Sequence, residues 1–299
     1  MHRREALIVE TETPRSELEA PRLQAKRGER WIENRPASRW GTLDLREIWA
    51  YRELGLTFAL KDLKVRYKQT FFGVAWVIFQ PLLAVLVFTV IFGRLAHLPA
   101  DGIPYPVFAY AGMTIWLYFS SGVTSAAQSL VENRDLVSKV YFPRVLAPAA
   151  AVAPGLLDLG ISLGVLTIFM AAYGVHPGPQ LALLPVWILA TVMFAFAVGL
   201  WLSALNVQYR DVKYVLGFLM QVWLYASPVV YAASLVKGDW RYLFAANPMV
   251  SLLNGFRWSL VGTPAPGREA LVSLAVGVLV LLSGVGYFRR VESYFSDLV

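Results

Sequence analysis

Apolar runs alternate with short polar breaks along most of this chain, and the first change of pattern is the sharpest. Lys61, Lys64, Arg66 and Lys68 end against a stretch from Phe71 to Phe92 that has no charged residue. A helix over that stretch is about 33 Å long, enough to cross a hydrocarbon core of about 30 Å. Further runs follow at Val107–Val131, Val145 to about Val175, Leu181–Leu205, Tyr214 to about Leu235 and Ala270–Phe288. Lys237–Arg268 is different: Asn247, Pro248, Gly255 and Arg257 cut it into apolar pieces too short to cross. The pattern predicts an all-α polytopic membrane protein with six transmembrane helices, and re-entrant helices sheltered by protein between spans five and six.

Upstream of the first span the pattern predicts two further parts. Residues 1–40 mix Glu and Arg with Pro14, Pro21 and Pro36 and lack apolar periodicity, so they read as a mobile cytoplasmic arm. Residues 41–70 read as an amphipathic interface helix, with Leu56, Leu60, Leu63 and Tyr67 on one stripe and Lys61, Lys64 and Lys68 to the other side. Phe58 and Val65 fall off that stripe and require a second apolar contact, from a neighbouring helix or a partner protein. Residues 71–299 form the transmembrane domain. Six crossings place 22 of the 27 Lys and Arg residues on the inner side, with both termini cytoplasmic. A seventh would put Arg289 and Arg290 outside, against the bias.

Composition agrees with a membrane protein: 57% of residues are hydrophobic and mean hydropathy is +0.52. Only 16% are charged, against about 25% in soluble domains. The net charge of +7 follows from topology and is no argument for nucleic acid, since no groove-reading motif is present. Cysteine is absent, which excludes disulfides, thiolate metal sites and a cysteine nucleophile. No cleaved secretory signal is expected, because Arg3 and Arg4 lack a following apolar core. There is no P-loop, HExxH, GxSxG or cluster of His with carboxylates, so no catalytic residue, metal ligand or bound cofactor is expected.

Asp158 stands about halfway along the third run, where an ionisable group must be paired or hydrated. It reads either as satisfied by another helix or as a coupling site. Tyr214, Phe218, Gln221 and Tyr225 lie at i, i+4, i+7 and i+11 and form a polar aromatic stripe in the fifth run. Leu136, Val137, Val140 and Tyr141 form a one-sided apolar patch in the first internal break, on a short helix that Pro143 ends. The residues by themselves lead to a helical membrane transporter or channel.

The ordered segments KDLKVRYKQTFFGVAWVIFQPLL (61–83), YPVFAYAGMTIWLYFSSG (105–122), ENRDLVSKVYFPR (132–144), NVQYRDVKYVLGFLMQVWLYASPVVY (206–231) and NPMVSLLNGFR (247–257) carry a resemblance. Together, over about residues 43–295, they resemble the membrane subunits of ABC-2 type exporters, in particular the permeases for lipid-linked O antigen and teichoic acid. The resemblance implies a homodimer in a bacterial inner membrane, served by two copies of a separate ATPase subunit that binds ATP and Mg. It implies a coupling helix at about 132–142, docking through Arg134, Asp135, Leu136, Val137, Lys139, Val140 and Tyr141. It also makes 41–70 an interface helix and 238–263 an outer gate.

A lipid-linked polysaccharide is too long for a closed alternating-access cavity and must thread a continuous dimer channel, which binds sugars weakly and repeatedly. Phe72, Trp76 and Phe79, with Tyr214, Phe218, Gln221 and Tyr225, are the candidate lining. Lys64, Arg66 and Lys68 are the candidate partners of the anionic lipid diphosphate. Competing readings keep the fold but carry a drug or a lipid, or make the chain an ion-coupled secondary transporter centred on Asp158. A membrane glycosyltransferase is disfavoured because no loop holds an acidic metal-binding cluster.

Overall fold

Every regular element among the described residues is helical. The computed structural model describes residues 45–68, 73–209 and 211–292, so the arm predicted at 1–40 lies outside them, as do Phe72 and Arg210. The interface helix is two pieces, α1 (Leu45–Ala50) and α2 (Arg52–Lys68). Next, α3 (Gly73–Phe88) widens into a π-helical segment over Thr89–Leu95, and α4 spans Tyr105–Glu132. A short α5 (Arg134–Lys139) precedes α6 (Leu146–Val152) and α7 (Gly155–Ala172). The chain continues through α8 (Leu184–Gln208) and α9 (Val212–Ala226), then α10 (Trp240–Ala245), α11 (Pro248–Val261) and α12 (Ala270–Glu292).

Among the described residues, four stretches are long and apolar enough to cross a membrane: Ala75–Leu95, Leu146–Ala172, Pro179–Gln208 and Ala270–Glu292. The 28 residues of α4 extend about 42 Å, and it is the helix around which the others pack. Val107 to Trp116 is buried without a break, and α3, α6, α7, α8, α9 and α11 all contact it. Close packing needs small residues at the crossing. At Gly199 of α8 an added Cβ would sit only 2.5 Å from Cβ of Ala126 in α4. Phe119 of α4 stacks on Phe194 of α8 with centroids 5.3 Å apart, and Trp223 of α9 meets Phe119 edge-on at 5.2 Å.

The fifth apolar run departs from expectation. It was expected to stay helical from Tyr214 to about Leu235, yet α9 ends at Ala226. The reason is Pro228, which drives Ser227 into extended backbone at φ −113° and ψ 149°. The irregular chain beyond it is nonetheless buried at Ser227, Val229, Val230 and Ala232. Freed carbonyls at that depth need donors. Arg257 of α11 supplies them, donating Nη1 to the Pro228 carbonyl at 2.6 Å and Nη2 to that of Val229. Its Nε reaches the Phe108 carbonyl at 3.2 Å, and the guanidinium lies 3.7 Å from the centroid of the Phe108 ring. Arg257 is 1% exposed, so one buried cation ties α4, the end of α9 and α11 together.

Asn247 does the neighbouring work. Its side-chain oxygen accepts from the Met249 amide at 3.1 Å and from Trp223 Nε1 at 3.0 Å, capping α11. Its amide nitrogen donates to Ser227 Oγ at 2.9 Å. Gly262, at φ 76°, then closes α11 in the left-handed region.

Two sets of loops mark the ends of the bundle. At one end Ser234 donates to Asp101 at 2.6 Å and Tyr105 to the Val230 carbonyl at 2.6 Å. At the other Tyr141 donates to Glu47 at 3.1 Å, Tyr287 to Gln208 at 3.1 Å, and the Arg144 amide to Glu292 at 3.4 Å. The cationic side chains of α2, α5 and the end of α12 lie at this second end.

The Arg257 site has no room to spare: a Cβ on Gly112 would collide with the guanidinium and with the Val229 carbonyl. Gly112→Ala is expected to destabilise the protein by about 1–3 kcal/mol through overpacking. Gly160→Ala, with nothing within 4 Å of the added carbon, should leave stability unchanged. Thermal unfolding of both variants in the same detergent checks this.

Candidate functional site

Three features at the second end and along the outer faces carry the chemistry. The first is the pair of exposed aromatic faces. On α9 only Leu216 and Met220 are buried, whereas Tyr214, Phe218 and Tyr225 are 73%, 70% and 54% exposed. Gln221 is exposed on the same face, so the predicted stripe is the side of α9 turned away from the core. On α3, Trp76 and Phe79 are also exposed, with ring centroids 6.4 Å apart. Large aromatic side chains presented outward in two rows form a surface that lipid, substrate or another subunit must cover.

The second feature is the short helix α5. The predicted apolar patch divides: Val137 is buried, while Leu136, Val140 and Tyr141 are exposed beside exposed Arg134, Asp135 and Lys139. Val137 belongs to a cluster with Phe58, Leu130, Phe142 and Leu146. The helix stops at Lys139, four residues before Pro143, because Val140 is already extended at φ −124° and ψ 133°. Asn133 begins α5 and is held from two sides. Its amide donates to the Ser129 carbonyl at 2.8 Å and its oxygen accepts from Lys61 of α2 at 2.5 Å.

The third feature joins α2 to α7. Arg66 donates to Asp158 Oδ2 at 2.5 Å, and Tyr67 donates to the other carboxylate oxygen. Asp158 thus has its partners on another helix, the first of the two readings its sequence position allowed. Burial, then the hydrogen bond to Asp158, raises the Tyr67 phenol to about 12, so it remains a donor at neutral pH. Burial likewise pushes the Asp62 carboxyl up, against the pull of Lys61 and Arg66. Of the three cations assigned to a lipid diphosphate, Lys64 and Lys68 are exposed and Arg66 is occupied by Asp158.

The stripe expected to face the membrane on α2 is only partly so used. Leu56 and Leu60 are exposed, while off-stripe Phe58 is 3% exposed and packs on Phe142 at 5.5 Å. The second apolar contact that Phe58 required is a neighbouring segment of the same chain.

Behind the Arg66–Asp158 pair opens a cavity of about 690 Å³ between α2, α3, α4 and α7. Half of its lining residues carry hydroxyls, most of them on one face of α4. The segment of α4 is rich in Ser and Thr, small residues that also serve close helix packing. Spacing alone would have flagged the alternative, because Thr114, Tyr118, Ser121 and Ser125 recur at i, i+4, i+7 and i+11. Another crevice, of about 860 Å³, is lined by Trp201, Trp223, Trp240, Phe244 and other mostly apolar side chains, and offers little for polar recognition.

Comparison with known proteins adds the family. Residues 55–261 match the ABC-2 type transporter family model. The chain is 32% identical over 259 residues to the O-antigen export system permease protein RfbA of Myxococcus xanthus, covering 85% of this chain and 98% of that one. It is 25% identical over 240 residues to the protein of the same name from Klebsiella pneumoniae, covering 80% and 92%. The polysialic acid transport protein KpsM of Escherichia coli is 25% identical over 240 residues, covering 78% and 91%.

Removing one member of the Asp158 pair while leaving the other should be costly. Asp158→Asn is expected to lower stability by about 1–3 kcal/mol, discounted from the buried-pair range for partial exposure. Replacing both groups, as Arg66→Met with Asp158→Asn, should cost less than the sum of the two single losses. A double-mutant cycle of thermal unfolding in detergent reads the coupling, and additive losses would deny it. This chain belongs to the ABC-2 type transporter family.

Proposed function

We propose that this ABC-2 family member is the translocation subunit of an ATP-driven exporter that moves a lipid-linked polysaccharide across the bacterial inner membrane. The observation that carries the reading is the outward aromatic face of α9 together with that of α3, in a chain whose relatives are named for O-antigen export and polysialic acid transport. Two copies facing each other across these rows make a channel walled by aromatic rings, Tyr hydroxyls and the Gln221 amide. Such a wall offers apolar surface to sugar C–H groups and hydrogen bonds to sugar hydroxyls, with no fixed sequence requirement.

The topology in this reading has six crossings, with both termini cytoplasmic. The clustering of cationic α2, α5 and Arg289–Arg290 at one end of the bundle supports it. There, α9 crosses together with the irregular chain after Ala226, and α10 with α11 dips in from the outer side. A separate ATPase subunit, present in two copies, docks on α5 and supplies ATP hydrolysis. Exposed Leu136, Val140 and Tyr141 provide the apolar contact, ringed by Arg134, Asp135 and Lys139. Lys64 and Lys68 are free to meet the lipid diphosphate, since Arg66 is already engaged. The drug or lipid alternative lacks the support of the relatives' names, and the ion-coupled alternative loses its basis when Asp158 is paired with Arg66.

Leu136→Asp with Val140→Asp, both exposed, should abolish co-elution of the permease with its ATPase partner and lower ATP hydrolysis at least severalfold. The buried Val137 is left untouched so that folding and docking are not confused. Tyr225→Ala should slow polymer export severalfold with the complex intact. A permease that exports on an ion gradient without any ATPase would overturn the assignment.

A further inference from the structure

We propose that the cavity bounded by α2, α3, α4 and α7 is a recognition site for a neutral sugar unit of the exported glycan, away from the aromatic face of α9 and sharing only Trp76 with that of α3. The inference rests on the export reading above and names the chemistry of its cargo at one place within a single subunit.

The argument starts from what the hydroxyls already do. Thr114 donates to the Tyr110 carbonyl at 2.9 Å, Thr124 to Ser120 at 2.8 Å and Ser121 to Tyr118 at 3.1 Å. Each of these three hydroxyls donates its single proton to its own helix, so toward a ligand it can offer only lone pairs. The charges at the cavity's floor also cancel, since Asp158 accepts from both Arg66 and Tyr67. The site is therefore close to neutral and rich in acceptors.

This balance selects among ligands. A phosphate or diphosphate would bring more acceptors to a wall of acceptors, beside a carboxylate and a single guanidinium already neutralised. An apolar drug would strand the hydroxyls without partners, which costs affinity. A sugar fits: each of its hydroxyls donates a proton to a waiting oxygen, and the Gln80 amide at the wall donates in return. At the rim Trp76, 56% exposed, offers a ring for the apolar face of a pyranose. The volume of about 690 Å³ lies within the range usual for small-ligand sites.

The test uses full-length protein in phospholipid nanodiscs free of glycosidic detergent, and saturation-transfer NMR with a panel of neutral disaccharides. Saturation transfer to sugar ring protons is expected, with no competition from inorganic pyrophosphate. Replacing Thr114 and Thr124 together by Val, which keeps shape and removes both acceptors, should weaken binding roughly tenfold. Replacing both by Ser, which restores the acceptors, should return it, and this conservative variant also controls for misfolding. Binding unchanged in the Val variant, displacement of sugar by pyrophosphate, or no transfer from any disaccharide would each overturn the proposal. The ATPase co-elution of the Val variant is read in parallel: sugar binding lost with the complex intact supports the cavity. Loss of the export reading itself shows instead in the Leu136 and Val140 experiment, which does not touch this site.

Discussion

The constraint on which this structure depends is that every backbone group freed inside the membrane region must find a partner in the protein itself. Where Pro228 ends α9, two carbonyls lose their helical donors. Arg257 reaches across from α11 and takes both, with the Phe108 carbonyl as a third acceptor. A guanidinium suits this task because it holds five donors in a plane and cannot easily shed its charge. The consequence is that α10 and α11, helices of 6 and 14 residues, pack back onto the core. They are the structural answer to a broken helix, pinned at Arg257 and capped at Asn247, and the glycine at position 112 is there because the guanidinium occupies the space a side chain would need.

A second dependency runs through α2. Within about two turns it carries Lys61, bonded to Asn133 at the start of α5, and Arg66 with Tyr67, bonded to Asp158 of α7. Phe58 anchors the same helix in the apolar cluster that contains Val137 of α5. If an ATPase docks on α5 as proposed, polar contacts lead from α5 through α2 to the floor of the hydroxyl-lined cavity. The path is short, each link is a named contact, and it does not require the core around α4 to deform.

Much of the helical plan was legible in the sequence because charge-free runs of membrane length leave few alternatives. The ends of α4 and the position of the aromatic stripe on α9 followed from run length and from the helical period. What stayed hidden was set by contacts between distant segments. Nothing local distinguishes Arg257 from an interruption in an apolar stretch; its role exists only because residues 108, 228 and 229 converge on it. The division of the α5 patch, with Val137 inward and its neighbours outward, depended likewise on Phe58, which lies 79 positions earlier. Phe58 itself signalled a missing partner by falling off its stripe, but the stripe could not say which segment would supply it. The Ser and Thr positions of α4 were visible, yet the same periodicity serves close packing and a polar cavity, and only the third dimension separates the two.

The two places that present sugar-compatible chemistry differ in kind, and the difference bears on how a long polymer is handled. The rows on α3 and α9 are open and repetitive, and they become an enclosed wall only when a second subunit faces the first. Contacts of that sort are weak and interchangeable, which is what passage along a chain of many units requires. The cavity behind Arg66 and Asp158 is bounded by four helices of one subunit and lined largely by hydroxyls, which favours holding one unit over passing many. It also lies at the end where α5 meets α2. In the proposed reading, recognition and conduction of the chain fall on surfaces that share only Trp76, the first beside the helix proposed to receive the ATPase. Lys61 bonded to Asn133 is the contact by which α5 reaches α2 and the wall of that cavity.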